Sequence, residues 1–142
     1  DERENMIKNR VHLVRCGRTD RIPHALLKQI EEIGNETSQN PQMTLQLALD
    51  YGGKDEVLRA LEKLNGAPAT EDSVRAQLDH PELQDMDLII RTSGEFRTSN
   101  FALWQSTYAE WIFSEKYFPD FSPEDLLAAL DEFDKRKRRF GS

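Results

Sequence analysis

Residues 11–34 read VHLVRCGRTDRIPHALLKQIEEIG, and a change of period inside this stretch decides the fold class. Val11–Cys16 is a β-rich run stopped by Gly17. From Ile22 onward the period lengthens: Leu26, Ile30 and Ile33 recur at i, i+4 and i+7, Pro23 stands near the start and Gly34 follows the end. This predicts a strand, then a helix over 22–33 that Gly34 closes.

The same unit returns twice. Thr44–Asp50 (TLQLALD) alternates apolar and polar residues, Gly52 and Gly53 punctuate it, and Val57, Leu58, Leu61 and Leu64 mark an amphipathic helix closed by Gly66. Residues 65–70 read as a loop, Glu71–Leu78 as a second, polar helix and Asp87–Ile90 as a short buried strand. Near the end, Ser122 at N-cap, Pro123 at N1 and Asp125 at N3 form a capping box, and Leu126, Leu130, Phe133, Lys137 and Phe140 share one helix face. The residues before Val11 read as a helix tail. Alternating β and α predicts the α/β class: an open, mostly parallel sheet with helices on both faces, residues 1–142 forming a single domain. Ligands of such sheets bind beyond the carboxyl ends of the strands.

Composition narrows the function. With 142 residues, 37% apolar and 32% charged, the chain has the balance of a folded domain with a core. No stretch reaches the roughly 18 uninterrupted apolar residues that cross a bilayer, and DERENMIKNR at the start has no apolar signal core, so a cytoplasmic location is expected. A net charge of −7 argues against broad nucleic-acid binding, so any anion site must be local. Cys16 is the single cysteine, which excludes an internal disulfide and a cysteine metal cage; a half-buried strand thiol is expected. The basic block Lys135–Arg139 (KRKRR) falls at the end of the closing helix, where cations favour the exposed carbonyls; a binding patch is the alternative reading.

The chemistry concentrates in DLIIRTSGEFRTSNFALWQSTYAEW, Asp87 to Trp111. Arg91 stands where the strand should end, at the ligand edge of the sheet. Gly94 allows a close turn, and Ser99 is placed to cap a helix beginning near Asn100. Forked donors from Arg91 and Arg97, hydroxyls from Thr92, Ser93, Thr98 and Ser99, and a helix N-terminus suit a phosphate. The competing account has Ser99 as a mere cap and the arginines paired with Glu95 or Asp87. The spacing matches neither a Walker loop nor GxGxxG. Glu110, between Tyr108 and Trp111, is either a surface residue between core aromatics or a carboxylate for Mg²⁺, which usually takes one or two protein carboxylates plus substrate phosphates and waters.

RTSGEFRTSNFALWQSTYAEW, with FPDFSP behind it, RRFG at the end and LQLALDYGGKDEVLRAL earlier, resembles the C-terminal half of the cis-prenyltransferases, the family of undecaprenyl and decaprenyl diphosphate synthases. The resemblance runs through nearly the whole chain. It implies an open α/β subunit in a homodimer, a reaction joining isopentenyl diphosphate to an allylic diphosphate with a cis double bond, Mg²⁺ as cofactor and peripheral membrane contact through the lipid product. It further implies that Arg91, Arg97, Thr98 and Ser99 grip the diphosphate of isopentenyl diphosphate, that Glu110 is a Mg²⁺ ligand, and that Arg139, in an Arg-x-Gly tail, reaches the partner subunit's diphosphate site.

Two departures stand out. Phe96 occupies a position where some bacterial members carry a histidine, and the family's Asp-Gly-Asn-Gly-Arg loop, which holds the catalytic aspartate, does not precede Val11. These residues alone are therefore expected to be inactive. A non-catalytic partner subunit and an unrelated phosphate-binding α/β module are the competing readings; accessory chains tend to lose Arg91, Arg97, Ser99 and Glu110, which are all kept here.

Overall fold

The computed structural model describes residues 2–136, which fall into two compact units divided after Glu82. In the first, helix α1 (Glu2–Lys8) leads into strand β1 (Val11–Cys16), helix α2 (His24–Thr37), strand β2 (Met43–Ala48), helix α3 (Gly53–Lys63) and short helix α4 (Glu71–Arg75). In the second, strand β3 (Leu88–Arg91) and strand β4 (Glu110–Phe113) precede a 3-10 turn at Phe118–Asp120 and helix α5 (Pro123–Lys135). β1 pairs with β2 from Val11↔Met43 to Cys16↔Ala48, and β3 with β4 from Leu88↔Glu110 to Arg91↔Phe113, both in parallel. The chain is thus α/β with parallel strands and helices, the class its alternation predicts.

Gly34 is not the helix stop that its position suggests. Helix α2 runs on through it to Thr37, and a Cβ at residue 34 would lie 2.9 Å from the Leu13 carbonyl oxygen. Glycine here lets the helix close on β1. Thr37 completes the junction: its hydroxyl donates to Ile33 O at 2.7 Å and accepts from the Leu13 N–H at 3.1 Å. This is how a threonine becomes buried at the helix end.

The apolar spacing of α3 also misleads. Gly53, Glu56 and Ala60 face inward, whereas Leu58 and Leu61 are exposed. Glu56 is 2% exposed and is satisfied on both oxygens, accepting from Tyr51 Oη at 2.5 Å and from the Asp79 N–H at 3.1 Å. Burial, then the bond to Glu56, raises the Tyr51 pKa. The polar helix expected to Leu78 ends at Arg75, and tighter turns continue it, Gln77 N–H bonding Val74 O and Leu78 N–H bonding Arg75 O.

Around Asp79 a charged network closes the unit. Arg59 Nη1 and Nη2 bond Asp79 Oδ1 and Oδ2 at 2.5 and 2.9 Å, the Gly17 N–H donates to Oδ2 at 2.8 Å, and Arg59 Nε reaches Asp55 at 2.8 Å. Burial pushes the Asp79 pKa upward, but the hydrogen bonds from Arg59 and Gly17 outweigh it and the net shift is downward. Cys16, buried at the end of β1, has its thiol pushed up to about 11, first by burial and then by the charges of Glu56 and Asp79.

In the second unit, the capping box at α5 forms as its residues predict. Ser122 Oγ accepts from the Asp125 N–H at 3.3 Å, and Asp125 Oδ2 accepts from the Ser122 N–H at 2.8 Å. Lys116 Nζ lies 2.7 Å from the same carboxylate, and together Lys116 and Ser122 lower the Asp125 pKa to about 2. Lys137 and Phe140 lie outside the described residues.

Candidate functional site

β3 delivers Arg91 to its carboxyl end, with Ile89 of the same strand buried. Arg91 O accepts from the Ser114 N–H at 2.8 Å, so its backbone belongs to the sheet. Its side chain carries an unmet donor: Arg91 Nε is buried and has no hydrogen-bond partner among the described residues. A buried donor left unmade costs about 1–3 kcal/mol, more for a charged group, which makes this N–H a place where an acceptor would be stabilised.

Beyond Arg91 the chain turns sharply, with Ser93 at φ 71° and Gly94 at φ 64°. Their N–H groups are already engaged, Ser93 with Lys116 O at 2.7 Å and Gly94 with Ser114 O at 2.9 Å. The turn is therefore locked to the segment after β4, and these two amides are not available as anion donors.

The helix expected from Asn100 does not form. Ser99, Asn100 and Ala102 all have positive φ, from 45° to 64°, which no right-handed helix start accommodates. Turns carry the chain instead: the Phe101 N–H bonds Thr98 O, the Ser106 N–H bonds Ala102 O and the Ala109 N–H bonds Ser106 O. Ser99 is consequently not the N-cap of a helix at Asn100. Parallel strands need a long crossover, usually helical; here an irregular one serves, with Ala102 buried beneath it.

Arg97, Thr98 and Ser99 lie exposed on this crossover. Arg97 pairs with Glu95, its side chain 65% exposed, as the competing account allowed for one of the two arginines. Between them Phe96 projects outward yet meets Phe113 in a tilted contact with ring centroids 4.9 Å apart, and Phe113 in turn stacks on Trp111 at 5.8 Å.

Glu110 opens β4, its N–H bonded to Asp87 O at 2.9 Å. The side chain is 30% exposed, and Oε2 accepts from Arg136 Nη1 at 2.8 Å. Nothing in the sequence distinguishes Arg136 from its basic neighbours. It sits in the KRKRR block, but rather than meeting helix carbonyls it folds back from the C-cap of α5 onto Glu110, the Trp111 carbonyl at 3.0 Å and Glu132. The hydrogen bond to Glu132, then that to Glu110, raises its pKa. The acid four residues back, at Glu132, does not mark it out, since Lys135 has Asp131 at the same spacing.

Among the described residues no three His, Cys, Asp or Glu side chains gather as a metal cage. Glu110 offers a carboxylate, a hard oxygen donor already paired with the Arg136 cation, and Mg²⁺ usually takes one or two such protein carboxylates, with substrate phosphates and water completing the shell. Arg139 lies outside the described residues. No helix among them is long and apolar enough to cross a membrane.

The family model described as "Putative undecaprenyl diphosphate synthase" matches residues 1–141. Isoprenyl transferases of Rickettsia bellii and Thermotoga maritima are 41% and 42% identical, each over 99% of this chain and 63% of their own length. The chain thus spans under two thirds of these curated relatives. Among solved structures, a probable undecaprenyl diphosphate synthase from Campylobacter jejuni is similar with a TM-score of 0.89 at 32% identity, covering 99% of this chain and 67% of its own. Lavandulyl diphosphate synthase from Lavandula x intermedia, in complex with dimethylallyl diphosphate, is similar with a TM-score of 0.90 at 31% identity, over 99% and 64%.

Proposed function

This chain belongs to the undecaprenyl diphosphate synthase family, and from that premise we propose that it supplies the isopentenyl diphosphate site of an isoprenyl transferase. Residues 1–142 are the C-terminal part of one catalytic domain, in a protein that acts as a homodimer. The observation that carries this reading is the buried, unpartnered Nε of Arg91 at the carboxyl end of β3.

In this reading Arg91, Arg97, Thr98 and Ser99 bind the diphosphate and so orient the double bond of isopentenyl diphosphate for attack on the allylic carbon. Arg97 exchanges Glu95 for a phosphate oxygen. The allylic carbon loses its diphosphate, the new carbon–carbon bond forms with cis geometry, and a proton leaves the condensing unit. Glu110 would hold Mg²⁺, which when bound supplies charge neutralisation to diphosphate oxygens. Arg139 contributes to the partner subunit's diphosphate site, and the catalytic aspartate comes from residues other than these.

The test is Arg91→Met in the intact protein. Losing charge-assisted bonds worth about 1.5–3 kcal/mol lowers kcat/KM for isopentenyl diphosphate by roughly ten- to hundredfold, while the KM for the allylic substrate changes little. Wild-type kinetics toward isopentenyl diphosphate would refute the assignment.

A further inference from the structure

We infer that Arg136 competes with a divalent cation for the Glu110 carboxylate, so that metal binding there exchanges one cation for another. The inference rests on the reading of Glu110 as the metal carboxylate. Its basis is the way one guanidinium is shared. Arg136 Nη1 donates to Glu110 Oε2 at 2.8 Å and to the Trp111 carbonyl at 3.0 Å, while Nη2 pairs with Glu132. The Nη1 contacts fix the fork on the first two residues of β4, and the Nη2 contact keeps a second anion beside it.

A metal ion drawing on Glu110 would stand within a few ångströms of that guanidinium, where like charges repel strongly. Arg136 has somewhere to go. It lies past the last residue of α5 with an extended backbone, φ −76° and ψ 128°, and Glu132 remains as its partner one helical turn back. Both Glu110 and Arg136 are about one third exposed, so breaking their contact transfers neither charge from a dry interior to water. The exchange is therefore shallow, and its direction depends on how much metal and phosphate are present. Lys135, one residue earlier, bonds Asp131 at 2.5 Å.

Mg²⁺ binding to the intact protein is measured by titration calorimetry with inorganic diphosphate present, and Mn²⁺ binding by electron paramagnetic resonance. Arg136→Gln should tighten both by about three- to fivefold, the upper end of the scale of a part-exposed ion pair. Arg136→Lys, which keeps the charge, should stay within about twofold of wild type, as should Lys135→Gln, which removes an equal charge that is not bonded to Glu110. Unchanged or weaker binding in Arg136→Gln overturns the exchange, and so does equal tightening in Lys135→Gln or in Arg136→Lys. Glu110→Gln separates the two layers. Lost binding there with no tightening in Arg136→Gln overturns the exchange alone, whereas unchanged binding in Glu110→Gln overturns the metal reading and the exchange together.

Discussion

Replacing Arg59 by methionine should destabilise the first unit by about 2–3 kcal/mol. The magnitude follows from where the pair sits. Exposed ion pairs contribute about 0–1 kcal/mol, and breaking a fully buried one costs about 3–5 kcal/mol because a charge is stranded. Asp79 is 11% exposed and Arg59 26%, which places the loss between these limits. Methionine retains most of the aliphatic stem, so lost packing is a minor part. The variant leaves Asp79 with the Gly17 N–H as a donor, and burial, the largest influence on its pKa, then raises rather than loses to the hydrogen bonds. In the wild type the folded Asp79 pKa is depressed, so its contribution is present above the unfolded value near ~4 and fades as pH falls below it. The stability gap between wild type and Arg59→Met should accordingly be widest at neutral pH and narrow on acidification. Trp104 and Trp111 both lie in the second unit, so tryptophan fluorescence would report the wrong one. Hydrogen exchange of amides in β1 and α3 during urea titration is the suitable assay. A loss under ~1 kcal/mol at pH 7, or a gap independent of pH, would refute the reasoning.

Three further outcomes follow from the packing. Ser122→Ala should cost about 1 kcal/mol by removing half of the α5 capping box, read by tryptophan fluorescence in urea. Gly34→Ala should destabilise although alanine favours helices by about 1 kcal/mol, since the new methyl meets the Leu13 carbonyl at 2.9 Å; a rise in Tm would show that α2 can retreat from β1. Cys16 has a raised folded pKa of about 11, so its contribution is complete below the unfolded thiol value near ~8.5 and is lost as pH rises through 11. Cys16→Ala should flatten the alkaline limb of the stability profile between these values, and an unchanged limb would refute the assignment.

What the sequence makes legible here is whatever depends on neighbours along the chain. The strand and helix of residues 11–34, the Ser122–Asp125 box and the strand leading to Arg91 are set by local period and capping chemistry, and each forms within a few residues of its expected bounds. Long-range partners are less legible. Gly34 looks like a stop because its reason for being glycine is Leu13 O on another element. Leu58 and Leu61 look like core because α3's inward face is built on Glu56, whose partners Tyr51 and Asp79 cannot be read from a hydrophobic pattern. The crossover after Arg91 looks helical because Ser99 and Asn100 are good capping types, yet both adopt positive φ.

The two units also treat charge differently, and the difference bears on function. Arg59 and Asp79 form a bidentate pair largely out of water, an arrangement that a ligand could enter only by stranding a charge. In the second unit, Arg97 and Glu110 hold partners across part-exposed contacts, which contribute little to stability and are correspondingly easy to trade. Arg91 Nε has no partner to give up. A diphosphate reaching this unit would therefore gain one buried donor outright and a second by displacing Glu95, and a cation would gain Glu110 by displacing Arg136. Each displacement leaves a charge that water can solvate, so the binding energy of the ligand is not consumed in breaking the site open. On the reading proposed above, such a surface gives up its part-exposed pairs readily when charged ligands arrive, which suits a site that binds and releases diphosphates repeatedly.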